Sequence, residues 1–199
     1  MKPTLQKSFM NLHECYTIEK YMDLRITNRK VGIVKRKSGP TKELHGTALT
    51  DAIGLVYKPN IEQIFGEKLS LTNSILKRTY RDGLMDWHRN KWQFEYVAVI
   101  QISDNLWPIG FQTDQDSPYV EGLQNEAGAV LTAQQGDAIL FNGAVTYHGR
   151  QRLKDDKCTV LMLYYVEEDG FLDNKAEREL YGDEHKTKIT PFGGLKIDA

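Results

Sequence analysis

The sequence predicts a mainly β protein in which two packed sheets form a barrel and helices cover one outer face. From Leu69 onward, strand-like runs alternate with turn residues; the runs are 69–80, 94–103, 110–113, 129–132, 137–141, 146–149 and 158–166. Two stretches, 94–102 and 159–166, are apolar on both faces, which is typical of central strands between two covering layers. The segment before Leu69 would supply the covering helices.

This first segment contains three elements predicted from apolar spacing: a helix within 10–22, a strand at 31–34 and a helix over 47–57. The turn residues Ser38-Gly39-Pro40 and Lys58-Pro59-Asn60 predict loops. Asn60 is expected to cap a separate short helix over 61–65, which Gly66 would end.

The length of 199 residues indicates one domain over 1–199. We divide it into helical and strand support at 1–68, a β core at 69–168 and a C-terminal tail at 169–199. The tail is polar and includes a charged helical stretch at 175–181. It could be a lid, an arm that joins a homodimer, or a solvated end without a role.

Composition excludes several classes of protein. The 26 basic and 27 acidic residues nearly cancel, so no general basic surface is available for nucleic acid. Cys15 and Cys158 are far apart and show no zinc or disulfide spacing, so both are expected to stay reduced. No run approaches the roughly 20 apolar residues of a membrane helix, and the N-terminus has no secretory apolar region. We therefore expect a cytoplasmic protein with no membrane partner.

Two segments carry the pattern that indicates function. The downstream segment contains Gly136-Asp137 leading into a strand that ends at Phe141, and then His148-Gly149. The upstream segment is Trp87-His88-Arg89-Asn90, just before the buried run at 94–102. From about Tyr80 to Val166, in less than half of the chain, the order and spacing resemble the iron(II)/2-oxoglutarate oxygenases of the prolyl-hydroxylase type. The resemblance implies a double-stranded β-helix, which is a jelly-roll, cupin-like barrel.

The resemblance implies that His88 and His148 bind iron. The family's carboxylate ligand comes two residues after the first histidine, where this chain has Asn90. Three explanations stay open. Asn90 could coordinate through its amide oxygen; it could leave a position for water or chloride, as family halogenases do; or a carboxylate could come from Asp86, Asp114 or Asp116. In each case, a ferrous ion that binds a chelating 2-oxo acid and dioxygen needs three open positions and hence three ligands on one face.

The resemblance also implies residues that bind 2-oxoglutarate. Lys157 lies nine positions after His148, where the family usually has an arginine that pairs with the far carboxylate. Thr159 shares its strand face, which predicts a pocket wall, and the hydroxyl of Tyr80 is a further candidate. Arg150 and Arg152 are held as alternatives to Lys157 for this pairing.

The implied activity is hydroxylation of a small metabolite or an amino-acid residue, with Fe(II), 2-oxoglutarate and dioxygen as cofactor and co-substrates. A halogenase is one alternative, and an inactive β-helix that serves as a binding module is another, favoured by Asn90 and Lys157. A cupin-type metal site is less consistent with the sequence, because cupins place a His-x-His pair upstream and this chain has none.

Overall fold

The computed structural model describes residues 2–28, 33–36, 39–112 and 128–168. These residues form, in chain order, β1 (Thr4–Gln6), α1 (Leu12–Thr27), β2 (Ile33–Arg36), β3 (Gly39–His45), α2 (Ala48–Phe65), β4 (Leu69–Tyr80), β5 (Met85–His88), a 3₁₀ turn (Trp92–Phe94), β6 (Tyr96–Gln101), β7 (Ile109–Phe111), β8 (Ala129–Leu131), β9 (Ala138–Asn142), β10 (His148–Arg150) and β11 (Lys157–Glu167).

The strands form two antiparallel sheets. The larger has the order β1-β9-β6-β11-β4-β3-β2, and the smaller has the order β5-β10-β7-β8. Strands β6 and β11 are adjacent in the middle of the larger sheet, which confirms the prediction that the two runs apolar on both faces are central strands. Strands β1, β3 and β5 were not predicted.

The larger sheet separates two apolar layers. On one side, the helices pack through residues such as Met22 and Ile61 against Leu161 and Leu163 of β11. On the other side, residues including Val160 of β11 pack towards the smaller sheet. Because successive side chains of a strand point to opposite faces, β11 contributes to both layers in alternation. The early helices therefore cover the barrel as the sequence predicts.

Helix α1 begins with a reciprocal capping arrangement. The Asn11 side chain accepts from the backbone N–H of Glu14, and the Glu14 carboxylate accepts from the backbone N–H of Asn11. This arrangement satisfies two N–H groups that have no partner within the helix. Cys15, Ile18 and Met22 then recur at three- and four-residue spacing, so one face of the helix is buried.

Helix α2 corrects the prediction of a break at Lys58-Pro59-Asn60. Thr47 caps one continuous helix that contains Pro59 and ends at Gly66, whose φ of 79° lies in the left-handed region. Proline removes only one backbone donor, and the carbonyl it leaves free belongs to Leu55, a residue that is 43% exposed and accessible to water. Ile61, beyond the proline, is fully buried and holds that end of the helix on the sheet. The end at Gly66 is confirmed.

The predicted loop at Ser38-Gly39-Pro40 is wrong for Gly39 and Pro40, and Ser38 lies outside the described residues. Gly39 and Pro40 begin β3 and pair with β2, the last strand at that edge of the larger sheet. Proline is tolerated at the start of a strand, where the missing N–H costs the ladder little. The predicted strand at 31–34 corresponds to β2, whose described residues begin at Ile33. The tail at 169–199, with its predicted helical stretch, lies outside the described residues.

Neither of the helices in the described ranges is long and apolar enough to cross a membrane.

A buried ionic cluster joins α1 to the larger sheet. Arg78 of β4 has a side chain only 4% exposed. It donates from Nη2 to Glu19 at 2.6 Å and from Nη1 to Asp23 at 2.7 Å. Its Nε donates to the hydroxyl of Thr159 on β11 at 2.9 Å. The guanidinium thus connects a helix and two strands through one side chain.

Replacing Arg78 by methionine should lower the free energy of unfolding by roughly 3 kcal/mol, because it leaves charged partners partly buried without a counterion. Urea denaturation followed by circular dichroism measures this loss. Arg81→Met is the matched control, since the pair of Arg81 with Asp156 is 59% and 87% exposed and should contribute little. Equal losses in the two variants would contradict the structural role of the cluster.

Candidate active site

The pairing of two short strands brings two histidines together. Strand β10 lies between β5 and β7, and His148 of β10 is directly opposite His88 of β5. Side chains opposite each other in an antiparallel pair emerge on the same face. The two imidazole rings therefore lie side by side, with centroids 4.5 Å apart. The sequence places these histidines 60 positions apart, and the sheet makes them neighbours.

Both imidazoles are oriented by backbone carbonyls. The Nδ1 of His88 is 2.7 Å from the carbonyl oxygen of Asp86, and the Nδ1 of His148 is 2.9 Å from that of Thr146. A carbonyl can only accept, so each neutral ring carries its proton on Nδ1. The lone pair of each ring is then on Nε2. This hydrogen-bonding arrangement is typical of histidines that bind a metal through Nε2.

The packing around His148 keeps its ring neutral and fixed. His148 is 3% exposed, and the ring of Phe141 packs against it at 4.7 Å between centroids. Burial, reinforced by the nearby His88, lowers the pKa of His148 from 6.5 to about 3. The next residue, Gly149, leaves room for the indole of Trp87, whose Cγ would be 3.1 Å from a Cβ at that position. Because of its low pKa, the imidazole of His148 is uncharged at neutral pH, and its Nε2 lone pair can bind a metal.

The two histidines line an open cleft between the sheets. Its walls are mainly apolar and include Val99, Trp107 and Met162. The polar groups that line it belong to Lys77, His88, Asn90, His148, Arg150 and Tyr164. An apolar cleft with a few convergent polar groups is the usual form of a ligand site.

Asn90 lies in the cleft with the histidines, and two backbone carbonyls hold its position. Its N–H donates to the carbonyl of Gly143 at 2.8 Å. Its side-chain Nδ2 donates to the carbonyl of Phe94 at 3.2 Å. A Cβ at Gly143 would overlap the Asn90 amide, so the absence of a side chain there makes room for it. The amide oxygen is the side-chain atom left to act as a ligand.

Arg150 provides a buried positive charge in the cleft. It is 7% exposed, its Nη1 donates to the carbonyl of Trp107 at 2.6 Å, and its guanidinium lies 4.7 Å from the centroid of the Trp107 ring. Burial lowers its pKa, and the Cys158 thiol is a neighbour. Among the described residues it pairs with no carboxylate, so its charge is available to an anionic ligand.

Lys77 is a second cation on the cleft wall, but the protein already neutralises it. Its Nζ is 3.2 Å from Oε1 of Glu43, and the other oxygen of Glu43 is 2.9 Å from Nε2 of His45. The Glu43 side chain is 3% exposed, so this interaction is well shielded from water. Sequence analysis missed Lys77; the alternation along β4 is a signal that could have placed it opposite the helix-facing Arg78.

The three residues predicted to bind 2-oxoglutarate, Lys157, Thr159 and Tyr80, lie away from the histidine cleft. Lys157 lies opposite Tyr80 in the β4–β11 pairing and is near Glu19 of α1, with Nζ 3.5 Å from the carboxylate. Thr159 is fully buried and bonds to Arg78. Lys157 and Thr159 do share one face, as predicted, but it is the helix-covered face, and none of the three residues lines the cleft.

The remaining candidates lie elsewhere. The side chain of Asp86 is exposed, and Arg152 is exposed and donates to the carbonyl of Asp82. Asp114 and Asp116 lie outside the described residues. Within the described ranges, no cluster of three or more histidine, cysteine, aspartate or glutamate residues could hold a metal ion. Among the described residues, the candidate third ligand beside His88 and His148 is therefore Asn90 and not a carboxylate.

The low pKa of His148 predicts an acid-sensitive apoprotein. The folded-state pKa is below the unfolded value of 6.5, so the unfolded chain takes up the proton first as the pH falls. This contribution to stability is complete above pH 6.5 and is lost between about pH 6.5 and 3, at up to about 1.4 kcal/mol per pH unit. Urea denaturation of metal-free protein across this range should show a shallower dependence for His148→Gln. Identical slopes would contradict the neutral, buried imidazole.

Comparison with solved structures identifies the fold. HygX from Streptomyces hygroscopicus, solved with nickel, 2-oxoglutarate and hygromycin B, is 11% identical and has a TM-score of 0.65 over 84% of this chain and 83% of its own. SnoK, a non-haem α-ketoglutarate-dependent carbocyclase from nogalamycin biosynthesis, is 9% identical, with a TM-score of 0.64 over 98% and 88%. A Pseudomonas putida prolyl-4-hydroxylase is 10% identical, with a TM-score of 0.59 over 83% and 92%.

No family model matches the sequence, and no curated protein matches it. At 9–11% identity, the three structures are evidence of fold and not of activity. The chain has the jelly-roll, double-stranded β-helix fold that these three structures share, as the sequence predicts.

Proposed function

We propose that this chain is a non-haem iron(II)/2-oxoglutarate-dependent oxygenase. The observation that carries the proposal is the pair of imidazoles of His88 and His148, each held through Nδ1 by a backbone carbonyl, in an apolar cleft that also contains the buried cation Arg150. The fold, shared with enzymes whose structures hold 2-oxoglutarate, supports it. A metal site and an anion site in one cleft match what a chelating 2-oxo dicarboxylate requires.

The residues present fit a divalent iron. Two neutral imidazole nitrogens and one amide oxygen, from His88, His148 and Asn90, give three protein donors and leave the other positions open. When iron is bound, such a centre supplies oxidation by dioxygen coupled to decarboxylation of 2-oxoglutarate. The protein's part is to hold the imidazoles by their Nδ1–H bonds and to exclude water with apolar walls.

Arg150 takes the role that sequence analysis gave to Lys157. Its guanidinium lines the cleft and can donate a charge-assisted hydrogen bond to a carboxylate, whereas Lys157 points towards α1. The stacking on Trp107 and the bond to its carbonyl hold the guanidinium in one orientation. We assign Arg150 to the carboxylate of 2-oxoglutarate that is remote from the metal.

The substrate that we propose is a small molecule or an amino-acid residue. HygX was solved with hygromycin B, and another structure of this fold is a prolyl-4-hydroxylase, so the fold serves both kinds of substrate. The cleft is lined by the aromatic side chains of Trp107, Phe141 and Tyr164. Such side chains provide contact area without a demand for one charge.

The two alternatives have less support. The similar structures are HygX, which was solved with hygromycin B, the carbocyclase SnoK and a prolyl-4-hydroxylase. None of them is described as a halogenase, so they do not favour that alternative. An inactive binding module does not require the aligned Nδ1–H bonds of His88 and His148. A homodimer formed through the tail stays a prediction, because 169–199 are outside the described residues.

Anaerobic titration of the metal-free protein with Fe(II) and 2-oxoglutarate should produce the visible charge-transfer band of the chelated complex. On admission of air, the same sample should form succinate in proportion to the 2-oxoglutarate consumed. His148→Ala should lose both signals, since it removes one of the three ligands. Absence of the band from the wild type at saturating iron would refute the proposed function.

Arg150→Met should weaken binding of 2-oxoglutarate at least about tenfold, because it removes a charge-assisted pair in a buried site. Lys157→Met is the matched control: it removes the same kind of charge from the helix-covered face and should leave the affinity unchanged. Titration of the iron complex with 2-oxoglutarate measures both. If only Lys157→Met lost affinity for 2-oxoglutarate, the result would contradict the assignment of Arg150 and support Lys157 as the residue that binds the carboxylate.

A further inference from the structure

The surroundings of Asn90 select an amide. Its Nδ2 donates to the carbonyl oxygen of Phe94, a group that can only accept hydrogen bonds. An ionised carboxylate in the same place would bring a negatively charged oxygen against that carbonyl. Gly143 lies so close to the Asn90 amide that the side chain has little room to turn away. The site is therefore built for asparagine, and aspartate would be a poor fit in the metal-free protein.

The consequence is a cation site with little negative charge near it. A histidine that binds a cation through Nε2 does so as the neutral imidazole, and the amide of Asn90 is uncharged. Within the described ranges, no acidic residue joins the two histidines to form a metal-binding group. Oxygen from an amide binds a divalent cation less strongly than oxygen from a carboxylate, because there is no charge to attract the ion.

The same cleft contains the positive charge of Arg150, which would repel an incoming divalent cation. Arg150 is buried on the same strand as His148, two residues away, and its charge is felt at the His148 ring. Lys77 is compensated by Glu43, but Arg150 pairs with no described carboxylate. Repulsion between buried charges is screened much less than on a surface. A divalent ion that enters alone therefore meets neutral ligands and an unneutralised guanidinium.

We infer that this centre takes up its divalent metal together with an anionic chelating co-ligand, because Asn90 supplies no charge and Arg150 repels the metal until a carboxylate neutralises it. The inference rests on the proposed function and concerns how the same site is filled. A 2-oxo dicarboxylate would place one carboxylate on the metal and the other on Arg150. It would thereby supply the negative charge that Asn90 lacks and neutralise the guanidinium. Coupling between two ligands is reciprocal, so each ligand must increase the affinity of the protein for the other by the same factor.

The test is titration of the full chain with Mn²⁺, which does not require anaerobic handling, in the absence and presence of saturating 2-oxoglutarate. The electron paramagnetic resonance signal of free Mn²⁺ reports the affinity. In the wild type, 2-oxoglutarate should tighten Mn²⁺ binding at least about tenfold. Calorimetric titration with 2-oxoglutarate, with and without Mn²⁺, should return the same factor.

The variant Asn90→Asp adds a negative charge to the metal site without adding a chelating co-ligand. It should bind Mn²⁺ alone about tenfold more tightly than the wild type and show a smaller effect of 2-oxoglutarate. Its metal-free form should melt at a lower temperature, because the carboxylate faces the Phe94 carbonyl, and Mn²⁺ should raise that temperature more than in the wild type. Asn60→Asp, which adds the same charge at an exposed position of α2, should change neither quantity.

Arg150→Met tests the repulsion independently, in case Asn90→Asp does not fold. It should bind Mn²⁺ alone more tightly than the wild type and lose most of the coupling. Equal affinity of the wild type for Mn²⁺ with and without 2-oxoglutarate would overturn the inference while leaving the proposed function intact. If the wild type binds neither Mn²⁺ nor 2-oxoglutarate, the proposed function itself fails.

Discussion

The two-sided burial of β11 is the constraint on which the arrangement depends. The strand pairs with β4 along its whole length and with β6 over residues 160–165. Its odd-numbered residues, such as Leu161 and Leu163, face the helices, and its even-numbered residues Val160 and Met162 face the cleft. A slip of one residue would exchange the two layers and move the core residues to the wrong side. Burial on both faces thus sets the register with little tolerance.

The smaller sheet makes the cleft chemically useful. Its strands are short, yet the pairing of β10 with both β5 and β7 sets His148 opposite His88 and directs Arg150 into the same space. The surrounding walls are apolar, so the few polar groups act in a medium of low polarity. There, charges attract and repel more strongly than in water. This is why a single asparagine in place of a carboxylate has consequences for what the cleft can hold.

The fold was predictable where local patterns are strong. The two runs that are apolar on both faces became the central strands, and Gly66 ends a helix as glycine in a left-handed conformation commonly does. The prediction failed at Pro59, where local propensity indicated a break but burial of Ile61 holds the helix together. Short edge elements such as β1 and β5 gave no signal, because a few residues with mixed character become strands only when a partner strand is present.

For the candidate site, the sequence by itself determined which residue types are available: the motif around His88 and His148, the asparagine at position 90 and a choice of basic residues. Only the tertiary structure decided which of those basic residues enters the cleft. Spacing along the chain favoured Lys157, but its place in the β4–β11 register turns it to the helices, while β10 directs Arg150 inward. The physical reason is the two-residue period of a strand: the side-chain face depends on register with neighbouring strands, and register is a property of the whole sheet.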